Sequence, residues 1–183
     1  MLTTTMDGMW KWTQEKIERT VPDHVRGTWM LRGFALTKVP MMAFAGPVVD
    51  ELSDVACGVR IPLSWRTKNH YNSMYFGALA IGADCAGGLL AMHHADKAMA
   101  SANAKQGVRK VRPLFKDVHA EFLKRADGDV LFRCNDGLML QQAVLETMST
   151  GARINKRVTV EATVPSVSKT DVVALFHLTI SLK

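Results

Sequence analysis

The chain has 183 residues, 48% apolar, 22% charged and 7% aromatic, proportions that fit one globular domain or at most two small ones and exclude disordered, collagen-like and coiled-coil chains. Its 23 Lys and Arg against 17 Asp and Glu leave a net charge of +6, which suits an anionic ligand or an acidic partner but is too diffuse to indicate nucleic acid. Cys57, Cys85 and Cys134 are odd in number, widely spaced and without a CxxC pair, and the N-terminus lacks the basic-then-apolar order of a signal peptide, so a reducing, cytoplasmic location is expected.

From Thr5 to Thr20, Met6, Met9, Trp10, Thr13 and Ile17 recur at spacings of three and four, opposite Lys11, Glu15, Glu18 and Arg19. That stripe predicts an amphipathic helix, ended by Pro22. Asp23 is placed to cap a second helix through Trp29, Leu31 and Phe34 toward Leu36. The two form an N-terminal helical extension over residues 1–46, read first as a packing appendage and second as a lipid-surface contact.

Residues 47–183 read as one further domain. Val48 to Leu52 and Val55 to Leu63 are short strands around a turn at Ser53-Asp54, with Val55, Cys57, Val59 and Ile61 facing inward. The polar loop Ser64 to Tyr71 leads to a helix with Asn72 or Ser73 as its N-cap, fading near Ala100 to Asn103. Within it, Ser73 to Met92 runs 20 residues with Asp84 as the only charge, the length of a membrane span. Gly77, Gly82, Gly87 and Gly88 within it, His93, His94 and Asp96 after it, and the lack of a second such segment favour a helix buried in a soluble core over a membrane span. A strand over Val111 to Arg125, a hairpin turn at Asp127-Gly128-Asp129 and a return strand Val130 to Cys134 follow. A short helix from Asp136-Gly137 to Gly151 precedes two long strands, Arg153 to Val164 and Val172 to Leu182, split by Pro165 to Ser168. A helix apolar on nearly every face has to be wrapped, and an antiparallel sheet curled around it is the economical solution. The expected class is α+β, with the shape of a hotdog fold.

The run Asn69-His70-Tyr71-Asn72-Ser73-Met74-Tyr75-Phe76-Gly77, ending at Asp84, resembles the hotdog thioesterases of the phenylacetate-pathway type. Their pattern is Asn, five residues, His-Gly-Gly, six residues, Asp. Aligned without gaps, Asn69, Gly77 and Asp84 match, whereas Tyr75 stands at the family's His and Phe76 at its first Gly. The stretch Arg66 to Leu79 is more closely similar still to an uncharacterised bacterial branch of that superfamily. The resemblance implies an acyl-CoA thioesterase whose active site forms between protomers of a homodimer, or of a dimer of dimers. It implies a coenzyme A or acyl-carrier thioester as substrate, with coenzyme A entering only as part of that substrate and no other cofactor.

Helix geometry agrees with a shared site. Tyr75 and Asp84 are nine positions apart, about 13 Å along a helix and about 180° around it, so they cannot meet within one chain. The unpaired backbone N–H groups at Phe76 and Gly77 suit the oxyanion of an attacked thioester. Asp84, among apolar and small residues, suits a general base on water or a nucleophile. Asn69 is placed to orient water or the carbonyl, Tyr75 to donate from its phenol or to form a pocket wall, and Arg66 and Lys68 to grip a coenzyme A phosphate. No metal is expected, because His93 and His94 point about 100° apart and lack an i, i+4 histidine partner. Cys85 reads as a small core residue. Two other readings stand beside the enzyme. One is a non-catalytic binder of acyl or other apolar ligands in the same tunnel, and the other is an interaction module using the helices of Thr5 to Leu36.

Overall fold

The computed structural model describes residues 23–102 and 110–183; the helix expected over Thr5 to Thr20 and the break at Pro22 lie outside them. Helix α1 (Asp23–Lys38) and the short α2 (Pro40–Ala45) lead into β1 (Val48–Leu52) and β2 (Cys57–Ile61). The central helix α3 (Phe76–Ala102) follows, then β3 (Pro113–Phe122), β4 (Val130–Cys134), α4 (Gly137–Thr150), β5 (Ile154–Val164) and β6 (Ser168–Leu182). All six strands form one antiparallel sheet in the order β1-β2-β4-β5-β6-β3. The sheet and α4 clasp α3, as the expected hotdog fold requires.

The sheet holds α3 by alternation. Val158, Val160, Ala162 and Val164 of β5 and Ala174, Phe176, Leu178 and Ile180 of β6 are buried on the helix side, the period-two pattern of a sheet with one covered face. Glycines let the helix sink onto them: a Cβ at Gly82 would lie 2.2 Å from the Phe132 ring, and one at Gly87 would lie 3.2 Å from Leu178. Helix α1 packs across β1, where Thr28 Oγ1 accepts from Val49 N–H at 2.8 Å.

Four expectations are corrected. Asp127-Gly128-Asp129 is not a hairpin turn, because β3 pairs with β6 while β4 inserts between β2 and β5. The 15-residue β6 offers β3 nine partners, and the connection crosses beneath the start of α3, where Ala126 C=O accepts from Met74 N–H at 2.9 Å. Asp129 then ties the crossing to β2 by accepting from Leu63 N–H at 2.9 Å. Second, β2 starts at Cys57, and Val55 is exposed in the turn rather than inward-facing. Third, α3 starts at Phe76, so neither Asn72 nor Ser73 caps it. Fourth, α2 was not expected; Pro40 stands at its start, a position that needs no N–H donor.

Candidate functional site

The start of α3 is set by a self-tied turn. Lys68 and Met74 form a β-bridge, Asn69 N–H donates to Ser73 C=O at 2.8 Å, and Tyr75 N–H donates to Thr67 C=O at 2.8 Å. Asn69 Oδ1 accepts from Tyr71 N–H at 2.9 Å and Ser73 N–H at 3.3 Å, while its amide donates to Ser73 Oγ at 3.1 Å. Its polar atoms are therefore spent on the turn. Asn72 closes the turn at φ 61°, a left-handed conformation asparagine tolerates better than most residues. At the helix itself, Ala78 and Leu79 N–H reach Tyr75 C=O at 2.9 and 3.1 Å. Among the described residues nothing accepts from Phe76 or Gly77 N–H, so these two remain as directed donors at the positive end of the helix dipole.

Aromatic rings surround those donors. The Tyr75 ring lies over Gly77, where a Cβ would come within 2.6 Å of it, and stands 4.7 Å from the Phe76 ring. Phe76 meets Phe122 of β3 edge-on at 6.5 Å, and Phe122 meets Phe176 at 5.9 Å. Arg66 and Lys68 occupy the loop just before the turn. The Arg66 guanidinium stacks 5.7 Å from the Phe44 ring and 5.9 Å from Trp65, and Lys68 Nζ donates to Asn72 Oδ1 at 3.1 Å.

Asp84 is not at the helix start. Half-buried on the opposite face of α3, it lines a cavity of about 960 Å³ between α3, α1 and the start of β3. No hydrogen-bond or ion-pair partner meets its carboxylate among the described residues, and burial pushes its pKa above the ordinary carboxylate value. Such a group is poised to accept a proton. Gly88, one turn on, keeps the space beside it open: a Cβ there would lie 3.6 Å from Asp84 Oδ1 and 3.4 Å from the Phe115 ring. Cys85 is buried beside it, and burial raises its thiol pKa well above the ordinary value, so it is a core residue.

The structure thus brings Tyr75, Phe76, Gly77, Asn69, Arg66 and Lys68 to one end of α3 and leaves Asp84 about 13 Å along the axis. It also assembles a cluster the sequence did not reveal. At the other end of the cavity, His93 Nε2 lies 3.0 Å from Asp54 Oδ1, Lys97 Nζ donates to Asp54 Oδ2, and His94 Nε2–H donates to Asp54 C=O at 3.1 Å. Lys97 first, then His93, hold the Asp54 carboxyl down to about 2. His93 and Lys97 at i, i+4 were the only available signal, because Asp54 comes from a turn about 40 residues earlier. Among the described residues no group of three or more His, Cys, Asp or Glu is placed to hold a metal ion.

Edge strand β3 is open on its helix side. Val118 and Phe122 face the same way as buried Leu178 and Ala174, their partners on β6, yet are 61% and 52% exposed. The other edge of β3 has no strand partner among the described residues.

Comparison with known proteins gives the same fold. Residues 27–181 match the family described as a domain of unknown function, DUF4442. A candidate thioesterase from Shewanella oneidensis superposes with a TM-score of 0.68 at 14% identity, over 85% of this chain and 96% of that one. A Pseudomonas aeruginosa protein of unknown function, itself offered as a thioesterase candidate, gives 0.67 at 22% identity, covering 85% and 95%. A thioesterase family protein from Silicibacter pomeroyi gives 0.57 at 15% identity, covering 85% and 97%. No curated protein matches the sequence.

Proposed function

This chain belongs to the DUF4442 family, and on that footing we propose that it is a thioesterase, hydrolysing an acyl thioester of coenzyme A or an acyl carrier protein at a site shared by two copies. The carrying observation is Asp84, a half-buried carboxylate that no side chain or backbone group neutralises, standing on a cavity. Acids are rarely left desolvated and unpaired without a task.

Asp84 takes the proton of a water whose oxygen attacks the thioester carbonyl carbon. The oxyanion that forms is held by the free N–H groups of Phe76 and Gly77 at the helix start of a second copy, in place and without reorganisation. The C–S bond then breaks, and the leaving thiolate recovers the proton from the Asp84 carboxyl. Tyr75 walls the site and offers its phenol as a donor. Asn69 positions the donors by fixing the turn before them, and Arg66 and Lys68 meet the phosphates of the carrier. A second copy is expected along β3, because pairing two β3 edges covers both the open backbone and the exposed Val118 and Phe122.

The thickness of the aromatic cover favours a second reading. Tyr75 lies directly on Gly77, and Phe76 is 60% exposed beside it, which would suit a non-catalytic acyl binder. Free-thiol release from short, medium, long and aromatic acyl-CoA substrates separates the two. The thioesterase reading expects Asp84→Asn to lower hydrolysis at least about a hundredfold. Equal inactivity of native and variant protein on every substrate supports the binder and refutes the enzyme.

A further inference from the structure

The cavity has a shape that the reaction alone does not demand. Asp84, Gly88, Met92, Asp96 and Ala100 all line it, four residues apart, so it follows one face of α3 for sixteen residues, about 24 Å. Its volume of about 960 Å³ lies at the upper end for small-molecule sites. Between its ends the walls are apolar: Leu89 and Met92 from α3, Met30 and Phe34 from α1, Phe115 and Ile180 from the sheet. Its charged groups sit toward the ends, with Asp84 at one and Arg26, His93, Asp96 and Lys97 toward the other. At that second end Asp54 already engages His93 and Lys97, so the cluster rims the opening instead of offering one free charge. The roof is α1, anchored to β1 by Thr28 and Val49.

We infer that this groove is the acyl subsite and that the substrate class is a long, unbranched acyl chain of about 14 to 18 carbons. The chain runs from Asp84 along α3 under α1 to an opening at Ala100. An all-staggered chain rises about 1.3 Å per methylene, so about 18 carbons span the groove. The absence of a side chain at Gly88 lets the first carbons pass between α3 and Phe115. The ring of rigid apolar walls, with no polar group between the ends, selects a saturated aliphatic chain over a short or hydroxylated one. The inference rests on the thioesterase reading only in placing the carbonyl end at Asp84.

The test measures binding without turnover. Calorimetric titration of the delipidated full chain with S-octyl and S-hexadecyl coenzyme A thioethers, which cannot be hydrolysed, reads chain length directly. The sixteen-carbon compound is expected to bind at least about a hundredfold more tightly, given the apolar area eight further methylenes bury. Ala100→Trp, an exposed position at the far opening, is expected to weaken the sixteen-carbon compound at least tenfold and the eight-carbon compound less than twofold. Equal affinity for both lengths, or an equal loss for both in Ala100→Trp, overturns the groove. Chain-length-dependent binding without hydrolysis keeps the groove and removes the reaction. Asp84-dependent hydrolysis with a flat chain-length profile does the reverse.

Discussion

Replacing Gly82 by Ala tests how closely α3 is seated on the sheet. The new methyl would lie 2.2, 2.4 and 2.5 Å from three carbons of the Phe132 ring, where carbon contacts settle at about 3.5–4.0 Å. Ring or helix must therefore move by more than about 1 Å. Neither has room. Phe132 is fully buried with Phe176 at 6.4 Å, and its strand is held between β2 and β5. Overpacking of this kind costs about 3 kcal/mol, the upper end of the usual range, while the helix gains about 1 kcal/mol from losing a glycine. The net loss of about 2 kcal/mol corresponds to a Tm lower by about 4–8 °C in a chain of this size. Gly33→Ala is the matched control: Gly33 is exposed in the middle of α1 with nothing within 4 Å of its would-be Cβ, so the same change should stabilise by about 0.5–1 kcal/mol. Differential scanning calorimetry at one protein concentration reads both signs. A Gly82→Ala protein melting at or above the native temperature would refute the packing argument.

Three further outcomes are expected. Burial raises the pKa of Asp84, so the folded state is penalised progressively as pH rises from the ordinary carboxylate value through the raised one. Asp84→Asn should therefore be the more stable protein in urea at pH 8 and show a smaller advantage at pH 4; identical pH dependence in the two proteins would sink this account. Asp54, held at about 2 by Lys97 and His93, contributes stability that is present above the ordinary carboxylate value and lost as pH falls through about 2. Because both Asp54 and Lys97 are largely exposed, Asp54→Asn should cost only about 0.5–1 kcal/mol at pH 7, a difference that denaturation curves at pH 2 should no longer show in full. Val118→Asp places a charge on the open side of β3, and sedimentation velocity should then show a monomer whose thioester hydrolysis is lost; an active dimer would remove β3 from the assembly.

The central helix was legible because nothing but burial explains a long apolar run with one charge, and the strands because turns and alternation bracket them. What failed was local logic applied to a non-local choice. Asp127-Gly128-Asp129 has the residues of a tight turn, but pairing is decided by which strand offers more partners, and β6 lies about 50 residues ahead of it. Asn72 has the chemistry of a cap, yet its left-handed backbone closes the preceding turn and delays the helix to Phe76. At the site, Asp84 and the helix-start donors were legible from spacing alone. The groove was not, because α1, α3, β3 and β6 each contribute a few ordinary apolar residues whose convergence has no signature in any one of them.

All three thiols are sealed. Cys57, Cys85 and Cys134 are buried, and burial carries Cys57 up to about 12 and Cys134 to about 11, so almost no thiolate exists at neutral pH to react. A thiol-reactive dye added to the native protein therefore sees only the thiol that hydrolysis liberates. The same dye becomes a clock when substrate is withheld: each cysteine reacts only after the helix and sheet part around it, so the rate of labelling measures how often the molecule opens.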